Sequence, residues 1–279
     1  MNTIGFMQGR LVDKVDGKIQ AFPWRDWRLE FERAAEHGFP VMEWTLDHQD
    51  LRRNPCMTAE GRAEIAGLCR LHRLAIDSMT GDCFMQAPFW KADGEARRAL
   101  LQEFDDVAAA CAAIGVRYLV VPLVDNGSLE TPGQWDLLTE SLRQRAGALA
   151  RSGVAVVFET DLAPDDYARL MARLPEPCFG VNYDIGNSAS LGFDPREEFA
   201  AYGRRIVNVH VKDRVRGGST VPLGSGDADF AAVFAGLRAL GYGGNLILQT
   251  ARADDGRHAE VLSDYRRFVV DGWERARGS

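Results

Sequence analysis

The sequence predicts an α/β fold, a (β/α)8 or TIM barrel that forms a single domain over residues 1–279, from three observations. Short apolar, β-branched runs alternate with longer amphipathic segments from one end of the chain to the other, a pattern typical of βα units. Eight strand candidates can be counted, and eight such units in a chain of this length close most economically into one barrel. No Gly-rich phosphate loop follows the first strand candidate, where an open doubly wound sheet would usually carry one.

The strand candidates are short and mostly apolar. They are Thr3–Met7, Pro40–Thr45, Leu74–Met79, Arg117–Pro122, Val154–Glu159, Phe179–Asp184, Ile206–Val211 and Asn245–Gln249. Helix candidates follow the strands, and the clearest are 95–114 and 134–150, where apolar residues recur at helical spacing. In four units a glycine stands between a helix candidate and the next strand, where a left-handed C-cap belongs: Gly38, Gly115, Gly153 and Gly241.

Composition and charge narrow the class of protein. The net charge of -7 works against non-specific attraction to phosphate backbones, so nucleic acid is not an expected partner. The five cysteines are odd in number and form no CxxC pair, which argues against a disulfide framework or a zinc knuckle. No targeting segment and no apolar stretch of membrane length is evident. We therefore expect a cytoplasmic protein without a membrane partner, and the sequence leaves a homodimer open.

The chemistry-bearing side chains follow the last four strand candidates. In a TIM barrel the reactive groups stand at the C-terminal ends of the strands, and these four strands end at or beside a side chain that can donate oxygen or nitrogen to a metal. The four are Glu159, Asp184, His210 and Gln249. One such residue is as easily explained by a bond to a loop amide, but four in succession predict a site for one divalent metal ion. Carboxylate, imidazole and amide ligands suit Mn²⁺, Mg²⁺, Co²⁺ or Zn²⁺.

These residues and their surroundings resemble the xylose isomerase-like barrels, which include sugar 3-epimerases, hydroxypyruvate isomerase, inosose dehydratase and the endonuclease IV group. The resemblance covers the whole chain, and its specific segments are Phe-Glu-Thr at 158–160, Tyr-Asp-Ile-Gly-Asn at 183–187, Val-His-Val-Lys-Asp at 209–213 and the Gly- and Asp-rich segment 222–230. It implies that Glu159, Asp184 and His210 are metal ligands and that Glu159 is also the catalytic acid/base. The implied enzyme is a metal-dependent isomerase or epimerase of a sugar, keto-sugar or sugar phosphate, working through an enediolate.

Gln249 departs from the family pattern, because these enzymes usually carry Glu at this position. An amide oxygen can coordinate a metal but cannot take a proton near neutral pH, so one catalytic base is missing. Epimerisation needs proton transfer on two faces of a carbon, whereas an aldose/ketose shift can use one face. The sequence therefore leaves open a single-base isomerase, a second base elsewhere (His48 or Glu43), or a lyase/dehydratase acting on a polyol ketone or related acid.

Two further alternatives belong to other classes of protein. An endonuclease IV-like enzyme would need additional histidines, and Asn187 stands where such a chain would carry one of them. The acidic charge balance also disfavours that reading. A non-catalytic sugar-binding barrel is the last alternative, made conceivable by Gln249.

A small-molecule carbohydrate is the expected partner, and seven residues near the predicted strand ends are candidates to bind it. They are Arg10, Glu43, His48, Asn187, Lys212, Arg214 and Arg252. Arginine and lysine side chains at this end of the barrel could hold a sugar phosphate or a carboxylate. For each charged residue a rim salt bridge or a solvated loop is the competing explanation.

Overall fold

The computed structural model describes residues 2–254 and 256–277, which form a closed barrel of eight parallel strands with helices around it. The TIM barrel prediction is therefore confirmed. The predicted domain of residues 1–279 includes residues 1, 255, 278 and 279, which lie outside the described part. Within that part, no helix is long and apolar enough to cross a membrane.

The described residues contain ten strands, and eight of them form the barrel. They are β1 (Ile4–Met7), β2 (Val41–Leu46), β3 (Ala75–Gly81), β4 (Tyr118–Leu123), β5 (Ala155–Thr160), β6 (Phe179–Asp184), β7 (Ile206–Val211), β8 (Asp213–Arg214), β9 (Thr220–Val221) and β10 (Leu246–Leu248). The order around the barrel is β1-β10-β7-β6-β5-β4-β3-β2, while β8 and β9 pair as a separate antiparallel ribbon. Each predicted strand corresponds to a barrel strand, and the bounds of β6 and β7 agree at both ends.

In the same part of the chain, ten α-helices connect or follow these strands. They are α1 (Leu29–Glu36), α2 (Ala59–His72), α3 (Asp82–Gln86), α4 (Gly94–Ile114), α5 (Pro132–Ser152), α6 (Pro164–Ala172), α7 (Ile185–Leu191), α8 (Pro195–Tyr202), α9 (Phe230–Ala239) and α10 (His258–Arg275). The two clearest helix candidates correspond to α4 and α5.

Local signals explain where α5 begins and ends. Thr131 accepts a hydrogen bond from the Gln134 backbone while the Gln134 side chain accepts one from the Thr131 backbone, and Pro132 occupies the first turn. Gly153 ends the helix at φ 71°, a left-handed conformation that glycine adopts without steric cost. Gly38, Gly115 and Gly241 also have positive φ, so the four glycines adopt the predicted left-handed conformation. Gly115 and Gly153 are themselves C-caps, whereas Gly38 and Gly241 come one residue after the C-cap.

Three short elements beyond the regular βα pattern surround the C-terminal end of the barrel. Helix α3 directly continues β3, and α7 directly continues β6, so that the first residues of both helices stand at strand ends. The β8–β9 ribbon follows β7 and carries Arg214 back over α7.

Candidate active site

Three of the four predicted metal ligands converge at the C-terminal end of the barrel. One ligand atom from each of Glu159, Asp184 and His210 lies within 4.8 Å of the others, and all three residues are buried. Asp184 and His210 are register partners across β6 and β7, which fixes their side chains next to each other. Glu159 stands on β5, the next strand around the barrel. The three side chains therefore lie close together, as expected for residues at the C-terminal ends of neighbouring strands.

The His210 ring is hydrogen-bonded to a carboxylate through the nitrogen that faces away from Glu159 and Asp184. Its Nε2 donates to Glu43 Oε1 at 2.6 Å, while its Nδ1 lies 3.0 Å from Glu159 Oε2 and 3.8 Å from Asp184 Oδ2. With Nε2 donating, the lone pair of a neutral imidazole is on Nδ1, which faces the two acidic ligands. Metal-ligating histidines commonly donate their other ring N–H to a carboxylate in this way.

Glu43 is the centre of a polar layer inside the barrel, below the ligand cluster. The side chain has no solvent exposure and accepts hydrogen bonds from Ser78 Oγ at 2.5 Å and Asn208 Nδ2 at 2.9 Å, as well as from Thr80 and His210. Burial opposes ionisation of Glu43, but the charge of His210 and these hydrogen bonds lower its pKa. Burial likewise lowers the pKa of His210, yet Glu43 and the other two carboxylates raise it well above its usual value.

Glu159 is oriented by amide groups on two sides. Asn187 Nδ2 donates to Glu159 Oε1 at 2.5 Å, and Asn182 Nδ2 donates to Glu159 Oε2 at 3.2 Å. Asn187 is itself fixed by two hydrogen bonds. Its Oδ1 accepts from Arg214 Nη1 at 2.8 Å, and its backbone N–H donates to Asp184 Oδ1 at 2.8 Å. A continuous chain from Arg214 through Asn187 thus sets the direction of the Glu159 carboxylate.

Asp184 is ion-paired with Lys212, whose Nζ lies 2.8 Å from Asp184 Oδ2. The lysine stem crosses Gly186 so closely that a Cβ added there would lie 2.7 Å from Lys212 Cγ. Glycine at 186 is therefore required for this approach. Burial raises the pKa of Asp184, but Lys212 and His210 together outweigh that effect and lower it.

Gln249 provides the observation that tests whether a metal fits this site. It directly follows β10, and its Oε1 is buried without a hydrogen-bond partner among the described residues. An unsatisfied buried carbonyl oxygen is costly, whereas coordination of a cation would satisfy it. The remaining donors are two carboxylates and an imidazole nitrogen, which suit a divalent first-row metal or Mg²⁺. The residues present therefore fit the expected ion.

A cavity of about 410 Å³ with both charged and apolar lining residues opens beside the cluster. Glu159 and Gln249 line it, so a molecule in the cavity would contact both residues directly. Its charged wall consists of the acidic residues Asp82, Asp125, Glu159 and Asp161 and the basic residues Arg10, Lys212 and Arg214. Asn187 lines it as well. Four of the seven predicted substrate-binding residues thus face this cavity: Arg10, Asn187, Lys212 and Arg214.

Comparison with known proteins identifies the family of this chain. The family model described as xylose isomerase-like TIM barrel matches residues 31–268. The chain belongs to this family. An L-ribulose-5-phosphate 3-epimerase UlaE of Salmonella typhi is 39% identical over 234 residues, covering 80% of this chain and 81% of the relative. An inosose dehydratase of Geobacillus thermodenitrificans is 28% identical over 152 residues, covering 46% of this chain and 51% of the relative.

Solved structures share the fold at low sequence identity. An L-ribulose 3-epimerase superposes with a TM-score of 0.75 at 17% identity, covering 99% of this chain and 96% of the other. The IOLI protein with a bound zinc atom gives 0.78 at 15% identity, covering 98% and 99%. A Mycobacterium smegmatis xylose isomerase-like barrel in complex with magnesium gives 0.71 at 18% identity, covering 98% and 97%. The family thus includes sugar epimerases, and structures related in fold hold zinc or magnesium.

The other three predicted substrate-binding residues do not line the cavity. They are Glu43, His48 and Arg252. Glu43 lies below His210 rather than at the mouth. His48 is partly exposed, with its Nε2 3.4 Å from Glu103 Oε2, because β2 ends before it and the chain turns outward. Arg252 donates to the Val12 carbonyl and packs behind Gly9.

Arg10 is held in the cavity wall by backbone groups. Its Nε donates to the Thr250 carbonyl at 3.1 Å and its Nη1 donates to the Ile19 carbonyl at 2.9 Å. Burial, followed by repulsion from Arg252, lowers the pKa of Arg10 to about 9. The fully buried Glu30 nearby accepts hydrogen bonds from the Gly9 and Leu11 backbone, and burial raises its pKa to about 7. This acid supports the turn that presents Arg10.

Asp82 is a buried acidic residue of the cavity wall that the sequence did not single out. It is the first residue of α3, directly after β3, and only 9% of it is exposed. The signal that could have found it is the same strand-end rule that was applied to the last four strands. The predicted third strand stopped at Met79, two residues short of the observed end at Gly81, so Asp82 did not stand next to a predicted strand end.

Proposed function

We propose that this protein is a metal-dependent epimerase or isomerase of a sugar, keto-sugar or sugar phosphate. One divalent ion would be held by Glu159, Asp184, His210 and Gln249. The observation that carries the proposal is the double position of Glu159, which belongs to the three-residue ligand cluster and also lines the cavity. A carboxylate in that position can move a proton on a substrate carbon held next to the metal site.

The bound ion would supply Lewis acidity, polarising a carbonyl and stabilising the negative charge that develops on adjacent oxygens. The residues of the chain supply the rest. Glu159 removes the proton from the carbon next to the carbonyl, and Asn187 and Asn182 keep its carboxylate aimed at the cavity. Glu43 fixes the orientation of the His210 ring, and Lys212 balances the charge of Asp184.

Three basic side chains in the cavity wall support an anionic substrate. Arg10, Lys212 and Arg214 line it together, and arginine and lysine are the usual partners of phosphate and carboxylate groups in proteins. The relative from Salmonella typhi acts on a ketopentose phosphate by its name. Ketopentose 5-phosphates are therefore the first substrates to test, with the unphosphorylated sugars beside them. A cytoplasmic location and a homodimer stay predictions.

A dehydratase is the second candidate, and Gln249 is the observation that favours it. With one ligand carboxylate replaced by an amide, removal of a proton by Glu159 could be followed by loss of a hydroxyl group rather than by return of a proton. The partial match to an inosose dehydratase agrees with this alternative. Release of water from a polyol ketone, detected as an unsaturated product, would distinguish it from epimerisation.

The test combines metal analysis with a sugar panel in deuterated water. The protein is loaded with Mn²⁺, Mg²⁺, Co²⁺ or Zn²⁺, and each sugar is followed by NMR. We expect interconversion of two sugars, with deuterium entering only at the carbon next to the carbonyl. A protein that binds no metal and exchanges no proton would overturn the proposal and leave a sugar-binding barrel. A dehydrated product would favour the second candidate.

A further inference from the structure

Epimerisation needs a second proton-transfer group, and neither Gln249, Glu43 nor His48 can act as that group. Gln249 cannot exchange a proton near neutral pH. Glu43 is buried below His210 and does not line the cavity. His48 is outside the cavity, with its ring directed at Glu103. The second group must therefore come from another part of the cavity wall.

Asp82 stands at a suitable place in that wall. It follows β3, and β4 separates β3 from β5, which carries Glu159. Both carboxylates line the same cavity, together with Gln249. Both side chains therefore border the space in which a substrate would lie, Glu159 from the end of β5 and Asp82 from the end of β3. The two groups approach from different directions because their strands are not adjacent.

Asp82 is also a buried acid that no other part of the mechanism uses. Only 9% of the residue is exposed, and among the described residues no lysine, arginine or histidine lies within ion-pair distance of its carboxylate. Buried carboxylates are normally paired, since burial of a lone charge is costly. An unpaired one that lines an open cavity is typical of a functional group rather than of a packing residue.

We propose that Asp82 is the second acid/base of this protein and exchanges a proton with the reacting carbon on the face opposite to Glu159. This inference rests on the proposed function and narrows it to epimerisation at the carbon next to a ketone. The assigned substrate class is an α-hydroxy ketone sugar whose reacting carbon lies between the two carboxylates.

The proton balance of the reaction is complete without any further reactant. Glu159 takes the proton as the C–H bond breaks, and the electron pair moves into the carbonyl to give the enediolate. The protonated Asp82 then delivers its proton to the other face, and the new C–H bond forms as the carbonyl is restored. Glu159 ends protonated and Asp82 ends ionised. Exchange with solvent resets both groups, with no net oxidation or reduction.

The pKa of Asp82 suits a group that gives and takes a proton near neutral pH. Burial, followed by the charges of Asp47 and Glu159, raises its pKa to about 7, although the neighbouring Gln20 amide favours the ionised form. An acid/base group is most effective when its pKa lies close to the working pH. Asp82 can therefore be present in either protonation state at neutral pH.

The experiment compares Asp82→Asn with Glu159→Gln in deuterated water, using the ketopentose 5-phosphate that the wild type interconverts. In Asp82→Asn we expect interconversion to fall by about 100-fold or more, while Glu159 still exchanges the proton of the recovered substrate with solvent. In Glu159→Gln both interconversion and exchange should be lost. Asp271→Asn removes the same charge from the exposed side of α10 and serves as the control.

Two comparisons separate the outcomes. A folded Asp82→Asn that interconverts the sugar within a few-fold of wild type would overturn the inference alone. A wild type that interconverts no sugar of the panel would overturn the proposed function and this inference with it.

Asp82→Glu keeps the carboxylate and should retain more interconversion than Asp82→Asn. If Asp82→Glu interconverts the sugar as slowly as Asp82→Asn, and the two variants have equal melting temperatures, then the carboxylate at position 82 does not transfer the proton and the inference is wrong.

Discussion

His210 Nε2 donates to Glu43 Oε1 at 2.6 Å, and neither side chain has any exposure to solvent. The two residues are 167 positions apart in the chain, and the barrel brings them together across its interior. Glu43 is in turn bonded by three other side chains, so its carboxylate cannot turn away from the ring. The ligand nitrogen of His210 is thereby directed at Glu159 and Asp184.

This relationship predicts that Glu43→Gln weakens metal binding although Glu43 does not belong to the ligand cluster. A glutamine cannot accept from all four donors, so the His210 ring loses its fixed orientation and part of its basicity. Loss of such a supporting carboxylate typically costs about 10- to 100-fold in metal affinity. Competition with a fluorescent chelator measures the change.

Glu103→Gln is the matched control for Glu43→Gln, because Glu103 also faces a histidine, His48, but in a partly exposed pair. It should leave metal affinity unchanged. Equal affinity of Glu43→Gln and wild type would mean that the ring orientation does not depend on Glu43.

The second prediction concerns the charge at the metal site. Two ligand carboxylates balance a divalent ion, and Gln249→Glu adds a third negative charge at a position with an unsatisfied buried oxygen. We expect metal affinity to rise by about tenfold or more, because an added opposite charge near a partly buried ion is worth more than 1 kcal/mol. Repulsion among the carboxylates limits the gain.

The control for Gln249→Glu is Gln144→Glu, which adds the same charge on the exposed face of α5. Affinity is again read by chelator competition, at two salt concentrations so that long-range charge effects are visible. If both variants changed affinity equally, residue 249 would not be a ligand.

The third prediction is a pH dependence of stability set by Glu30. Burial raises its pKa from 4.5 to about 7, so the folded protein keeps a proton that the unfolded chain has lost between these values. The stabilisation is therefore complete below pH 4.5 and is lost as the pH rises towards 7. Over that window the unfolding free energy should fall, relative to Glu30→Gln, by on the order of 3 kcal/mol.

Urea unfolding of both proteins at several pH values, in the presence of a chelator, tests this effect of Glu30. Glutamine keeps one acceptor oxygen for the Gly9 and Leu11 backbone but does not titrate. Only the difference between the two curves is interpreted, since other groups titrate in both proteins. Parallel curves across the window would show that Glu30 does not titrate there.

Much of this architecture could be predicted from the sequence because the signals are local. The apolar runs of Phe179–Asp184 and Ile206–Val211 gave both ends of β6 and β7, and parallel strands place their C-terminal ends side by side. The convergence of Glu159, Asp184 and His210 followed from those two facts. Nothing beyond strand ends and residue type was needed.

What could not be predicted depends on pairing between distant segments. The predicted third strand stopped at Met79, but Thr80 and Gly81 extend β3 by pairing with Thr45 and Leu46 of β2. Those backbone hydrogen bonds do not require apolar side chains, so hydrophobicity gave no sign of them. Asp82 was missed for this reason. The position of Glu43 below His210 likewise depends on the register of the closed barrel, which one sequence does not specify.

The last prediction addresses the role of Glu159 directly. In Glu159→Gln the amide oxygen can still coordinate a metal, whereas the group can no longer accept the substrate proton. We expect metal to remain bound with reduced affinity, and exchange of the carbon-bound proton to fall by about 100- to 10,000-fold. Asn187→Ala should cause a smaller loss, because it removes the 2.5 Å hydrogen bond that aims Glu159 but keeps the carboxylate itself.

Metal content by elemental analysis and exchange by NMR separate these effects in one sample of each variant. Glu140→Gln, on the exposed side of α5, controls for the loss of a charge elsewhere. A Glu159→Gln protein that keeps its metal and its near-normal turnover would place the base on another residue. Asp82 would then be the first carboxylate to test, because it is the other buried acid that lines the cavity.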